Sequence, residues 1–192
     1  MINTLRRVTF GLAVVTSLCV SAYAGELTNS AKKIEDLLAA SQPVAAYDVL
    51  LEMSDKVWAK LPMKVRNAQY VQEIYSFRRF TPKESAVFKP NETHIIYAEP
   101  IGFTYGTTTS GEREAGFRID FSLSDATGRV ILRRSDFLKI DLPLGANNKE
   151  VHLNLTVDLT GLPEGQYESH YVIKDKYSEK QDQISLPFAI AK

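Results

Sequence analysis

Cysteine is nearly missing from this 192-residue chain, and Cys19 is the only one. It lies inside an N-terminal apolar run, so the remainder carries no thiol. That excludes disulfide staples and cysteine-held metals there. Leu18 is not the small residue that a lipid-bearing cysteine requires before it, so Cys19 reads as a filler of the run. Charge of one sign is missing too. Lys+Arg and Asp+Glu both count 23, and no basic block offers a face to nucleic acid. Past residue 20 no apolar stretch is long enough to cross a bilayer as a helix. There is no G-x-S-x-G elbow, no glycine-rich phosphate loop and no Ser–His–Asp order. Catalysis is therefore not expected, and neither a cofactor nor a metal is implied.

The first two dozen residues have the pattern of an address. Arg6 and Arg7 give a positive start, an apolar run follows from Val8 to Val20, and small residues close it in Ser21-Ala22-Tyr23-Ala24. That order predicts a cleaved secretory signal over 1–24, with cleavage near Ala24/Gly25. Leu5 departs from the twin-arginine pattern, so Sec-type export is expected. About 168 residues would remain, with 21 basic against 23 acidic side chains, enough for one domain and an appendage. A secreted chain without disulfides fits a bacterial periplasm, or secretion from a bacterium, better than a eukaryotic surface.

The mature part changes period once. Ile34, Leu37 and Leu38 have helical spacing, and Ser30 is a reasonable N-cap. Ser41-Gln42-Pro43 interrupts, and Pro43 suits the first turn of a second helix. Tyr47, Leu50, Leu51, Val57, Trp58 and Leu61 then form a stripe. A helical hairpin is expected over 25–64, with its stripe packed on something, because neither helix is stable alone. From about residue 65 the apolar period becomes two. Phe117, Ile119, Phe121 and Leu123 alternate with polar neighbours. So do Val151, Leu153, Leu155, Val157 and Leu159, then Tyr167, Ser169, Tyr171 and Ile173, then Ile184, Leu186, Phe188 and Ile190. Turn sequences separate the runs, at Asp125-Ala126-Thr127-Gly128 and Gly145-Ala146-Asn147-Asn148 among others. Such alternation buries one face of each strand, as antiparallel sheets do. The expectation is a mainly β, antiparallel sandwich over 65–192. Residues 65–75 stay open between strand and third helix, because Val65, Ala68, Val71 and Ile74 are spaced by three.

Leu162-Pro163-Glu164-Gly165-Gln166-Tyr167 resembles the opening of a late strand in immunoglobulin-like and fibronectin type III-like β-sandwiches. The resemblance implies a structural corner in which the Tyr167 hydroxyl bonds back to the backbone. The cysteine pair and core tryptophan of a true immunoglobulin domain are missing. The closing run from Gly161 to Ile190, with Asp175-Lys176-Tyr177-Ser178, also looks like the ends of uncharacterised exported bacterial proteins.

Candidate sites are few. His152 and His170 fall on the wet side of two runs expected to neighbour one another, and read as solvated strand residues rather than a zinc pair. Asp120, Asp125, Glu112 and Glu114 are acids that a hydrolase would need in convergent pairs. Asp125 has a simpler reading as the opening residue of its turn. Asn91-Glu92-Thr93 and Asn154-Leu155-Thr156 match the glycosylation pattern by chance. Tyr75, Phe77, Phe80 and Phe88 crowd the region before residue 90. The stretch Glu99-Pro100-Ile101-Gly102-Phe103-Thr104-Tyr105-Gly106 then sets two aromatics between glycines, and Phe103 and Tyr105 are the candidate binding residues. The expected role is non-catalytic recognition of a glycan or another envelope protein, through the loop at 99–111 and the edge strands. A hydrolase with a carboxylate site and a purely structural component are the rivals.

Overall fold

The structure, a computed structural model, describes residues 18–145 and 148–192, with side chains from Gly25 onward. Arg6, Arg7 and most of the apolar run lie outside the described residues, as do Ala146 and Asn147 of one expected turn. The chain divides after Ser54 into two compact units.

The first unit holds α1 (Leu18–Ala39) and the larger part of α2 (Pro43–Lys60). Ser41 takes a φ of 58° at the end of α1. The Gln42 N–H then reaches back to the Leu37 carbonyl at 2.9 Å, and the Ser41 N–H to Leu38 at 3.0 Å. That pair of bonds stops a helix by satisfying its last carbonyls. The Gln42 carbonyl accepts the Ala46 N–H at 3.1 Å, so Pro43 is the first residue of α2, where its missing N–H costs nothing. Two expectations need correction. Ser30 sits inside α1 and caps nothing, since no proline breaks the helix upstream of it. The stripe is also misplaced over most of its length, although Trp58 is partly buried against the core of the second unit. Ala46 and Val49 are the buried positions of α2, while Tyr47, Leu50, Leu51 and Val57 stay exposed. The helix carries apolar residues on more than one face, and spacing alone does not choose between them. Among the described residues no helix is long and apolar enough to cross a membrane.

The second unit takes the last turns of α2 and ten strands: β1 (Lys64–Ser76), β2 (Arg79–Pro82), β3 (Val87–Phe88), β4 (His94–Ile101), β5 (Gly106–Thr107), β6 (Arg113–Asp125), β7 (Val130–Pro143), β8 (Leu153–Val157), β9 (Gly165–Asp175) and β10 (Gln181–Ile190). One sheet has the order β2-β1-β4-β8. The other runs β3-β10-β9-β6-β5, with β7 also paired to β6. All pairings are antiparallel except the two-residue β3–β10 contact. This is a mainly β, two-sheet antiparallel sandwich preceded by a helical hairpin.

The alternating runs supply its core. Phe117, Ile119, Phe121 and Leu123 of β6 and Tyr171 and Ile173 of β9 face Ile96, Leu153 and Leu155 of the other sheet. Burying each such side chain contributes ~1.5–3 kcal/mol. β1 explains the spacing of three at 65–74. It is bulged between Arg66 and Gln69 against β4, and between Val71 and Glu73 against β2. Each extra residue flips the parity, so inward positions fall three apart and the segment mimics a helix in sequence. One flank of the sandwich is bolted shut. Asp182 accepts the Val65 N–H at 2.8 Å and the Lys64 ammonium at 2.9 Å, and the Tyr70 hydroxyl donates to the Leu186 carbonyl at 3.1 Å.

Candidate functional site

The loop after β4 builds one wall of a cleft in the second unit. At Gly102 the chain turns with a φ of +69°, its α-carbon tucked against Pro62. A Cβ there would lie 2.5 Å from the Pro62 carbonyl oxygen, so glycine is required on two counts. The turn drives Phe103 into the core, and Tyr105 emerges two residues later. Both ends of the loop are tied to the β9–β10 hairpin. The Asp175 carboxylate accepts the Thr104 N–H at 2.8 Å, and the Lys180 ammonium donates to the Gly102 carbonyl at 2.8 Å. Asp175 is itself buried and also accepts the Tyr177 N–H and the Ser178 hydroxyl.

Trp58, in the last turns of α2, completes the wall. Its indole N–H donates to the Phe103 carbonyl at 3.0 Å. Its ring meets Phe103 edge-on at 5.1 Å between centroids and Tyr105 at 6.5 Å. The Arg113 guanidinium, at the start of β6, lies 3.7 Å from the centre of the Tyr105 ring. Burial pushes the Tyr105 hydroxyl up in pKa, and Arg113 only partly opposes this. It stays protonated and donates to the Asn148 carbonyl at 3.1 Å. Lys149 pairs with Asp55 and reaches within 5.8 Å of the Trp58 ring centre. Together Asp55, Trp58, Tyr105, Arg113 and Lys180 border a cleft of about 340 Å³, with Phe103 at its floor. That volume lies at the small end of ligand sites.

The expected pair is therefore split. Tyr105 borders the cleft, but Phe103 is only 1% exposed and is a core residue; this corrects its placement as a surface ring. It packs edge-on against Phe117 at 5.7 Å, because the Gly102 turn points it inward. The partners Trp58, Arg113 and Lys180 were not singled out in sequence as a group. They come from a helix end, a strand start and a hairpin, and no local signal unites them. Tyr167 donates its hydroxyl to the Pro163 carbonyl at 2.9 Å, closing the corner at the start of β9.

The histidines separate. His152 precedes β8 of the four-stranded sheet and stacks on Tyr97 at 5.6 Å, while His170 lies on β9 of the other sheet. The two runs are not neighbours, which corrects that expectation. His170 sits between hydroxyls, with Nε2 3.1 Å from Ser124 Oγ and Nδ1 2.8 Å from Ser185 Oγ. His94 is buried, stacked on Phe88 at 3.6 Å between centroids. Burial pushes its pKa down to about 4.

The acids are occupied structurally. Asp120 accepts the Lys174 ammonium at 2.6 Å and the Asp136 N–H at 3.0 Å, which hold its carboxyl below its ordinary pKa. Asp125 is lowered to about 2, chiefly by the Thr127 hydroxyl at 2.6 Å. Its Oδ1 also caps the Thr127 and Arg129 N–H groups, as a turn-opening aspartate does. Glu114 is held low by Lys176 and Tyr177. A general acid needs the opposite shift. Among the described residues no three His, Cys, Asp or Glu side chains gather in a way that could hold a metal ion.

No family model matches this chain, and no curated protein does. Among solved structures it is similar to the CARDB domain of a Pyrococcus furiosus protein, described as a complex with di-metal ions. The identity is 12%, over 68% of this chain and 90% of that one, with a TM-score of 0.33. A structural-genomics target solved by X-ray matches at 12% identity, over 68% and 87% of the two chains, with a TM-score of 0.25.

Proposed function

We propose that this is an exported, non-catalytic binding protein of the periplasm or cell surface. In this reading an immunoglobulin-like sandwich serves as a rigid frame, and the Trp58–Tyr105 cleft recognises a glycan. The observation that carries the proposal is preorganisation. The loop 102–105 is fixed by Gly102, Asp175, Lys180 and the Trp58 indole before any ligand arrives. A site held ready avoids the ordering cost that weakens flexible binders. Two partly exposed aromatic rings beside hydrogen-bonding cations suit the mixed apolar and polar surface of a sugar.

The test is calorimetric titration of the folded protein with soluble cell-envelope glycan fragments, in parallel with Tyr105→Ala. The proposal expects saturable binding that weakens at least tenfold in the variant. Equal affinity in both proteins would remove the cleft from the account.

A protein partner is the second reading, and a separate feature favours it. On the unbolted flank, Ile140 and Leu142 of β7 face Val151 and Asn154 beside and within β8 across a cleft of about 390 Å³. β8 ends its sheet, and β7 is paired on one side, to β6, so an added strand from a partner would find pairing edges. Such a partner would slow hydrogen exchange of the β8 amides and leave sugar binding unchanged.

A further inference from the structure

We infer that the exposed side of α2 is an interface whose occupant is the same side of a second copy of this chain, packed antiparallel across a two-fold axis. The glycan reading does not depend on it.

Four observations carry it. First, α2 leaves a patch open. Among the described residues, five of the ten exposed large apolar side chains stand on this one helix: Val44, Tyr47, Leu50, Leu51 and Val57. Single apolar side chains on a surface are ordinary, whereas a contiguous patch marks an interaction site. Second, the patch is a seam. Val44 and Leu51, Tyr47 and Ser54, and Leu50 and Val57 each stand seven residues apart. That repeat keeps them on one side of the helix, as in helices that pair along their length. None of the six positions is charged.

Third, the seam complements itself. Laid antiparallel about an axis between Leu50 and Leu51, it sets Leu50 against Leu51 of the second copy, Val44 against Val57, and Tyr47 against Ser54. Aliphatic side chains meet their like, and the large ring meets the smallest side chain of the row. In a two-fold contact each such pairing occurs twice. Fourth, the area suffices. The five apolar side chains are between 43% and 74% exposed. They leave roughly 500 Å² open per chain, so a symmetric pair covers about 1,000 Å², the size at which specific interfaces begin.

The chemistry around the seam favours a copy over a lipid surface. Asp48 borders it, between Val44 and Leu51, where a helix lying on an anionic membrane carries lysine or arginine. Lys+Arg and Asp+Glu both count 23, so two copies carry no net repulsion. The hairpin also gains from the contact. Only Ala46 and Val49 of α2 are buried, and joining two hairpins supplies the packing that a short helix pair lacks.

The experiment is sedimentation velocity of the full chain as purified, over a dilution series. The expected result is twice the mass of one chain at high concentration, falling to one chain on dilution. Leu51→Glu and Leu50→Lys each bury a charge against leucine, and should raise the dissociation constant at least about a hundredfold. Both positions are exposed, so far-ultraviolet dichroism of the variants should match that of the parent. Mixing the two variants brings the new charges face to face. The dimer should then return to within about tenfold of the parental affinity and weaken in high salt. A mass of one chain at every concentration would overturn the inference, and because it is read on the unmodified protein, a misfolded variant does not spare it. A dimer indifferent to both substitutions would put the contact elsewhere and overturn it. Two monomeric variants whose mixture stays monomeric would refute the Leu50–Leu51 pairing and the proposal with it. A monomer that binds phosphatidylcholine vesicles, and loses them in Leu51→Glu, would give the seam to lipid and equally overturn it.

Discussion

His94 offers the sharpest test of the core. Its ring is buried between Phe88, Tyr70 and Phe188, with centroids 3.6, 5.7 and 4.6 Å away. Among the described residues neither ring nitrogen has a hydrogen-bond partner. Burial disfavours the imidazolium, and Lys83 adds to this; the nearby Glu92 carboxylate acts the other way but does not prevail. The folded state therefore holds His94 at about 4, against 6.5 as the ordinary value. A histidine lowered on folding gives full stability above the unfolded value. It loses that stability as pH falls from 6.5 toward 4, because only the unfolded chain takes up the proton in that window. At about 1.4 kcal/mol per pH decade, the loss is ~3 kcal/mol. The assay is urea unfolding of the protein and of His94→Phe between pH 7.5 and 4. Carboxylates titrate in both proteins, so the quantity to follow is the difference between them. At pH 7.5 the variant should match or exceed the parent, since an unpaired buried N–H costs ~1–3 kcal/mol. By pH 4 its advantage should have grown by ~3 kcal/mol. A difference that stays flat across this range would refute the argument.

Other expectations follow from the same geometry. Glu99, buried at 1% exposure, accepts the Tyr97 hydroxyl at 2.8 Å and the Asn67 amide at 2.9 Å, so Glu99→Ala should cost ~3 kcal/mol or more in denaturant unfolding. Gly102→Ala meets both a left-handed φ and the Pro62 carbonyl, so thermal melting should show a loss of at least ~2 kcal/mol. Tyr167→Phe removes a single hydroxyl bond at a partly exposed corner, and should cost only ~0.5–1.5 kcal/mol in the same assay. Asp182→Ala unbolts β1 from β10. It should speed hydrogen exchange at the Val65 amide well before global unfolding does.

The sandwich was legible where strands bury one face. The run 117–123 alternates cleanly, and the structure buries its apolar parity. The hairpin turn was equally readable, because Pro43 has one comfortable place in a helix. Legibility failed where a strand is buried on both faces or interrupted. β4 reads His-Ile-Ile-Tyr-Ala-Glu-Pro-Ile, with a buried histidine and glutamate inside it, so no alternation announces it. β7 carries a residue of positive φ at Asp136, whose N–H turns to Asp120, and its period breaks there. β1 hides behind three register shifts.

The candidate site was half legible for a related reason. Glycines around Phe103 and Tyr105 marked a turn, but which ring faces out depends on where Gly102 meets Pro62, a contact forty residues apart in sequence. Trp58 looked like one more member of a helical stripe. Its role comes from a hydrogen bond to Phe103, which no local pattern encodes.

Trp58 is the only tryptophan of the chain, so its emission reports on the cleft alone. Following that emission while titrating soluble cell-envelope glycan fragments tests the central claim most directly. A saturable spectral change, with the same midpoint as the calorimetric binding curve, is the predicted result. Calorimetric binding that leaves Trp58 emission untouched would put the ligand elsewhere and contradict the account.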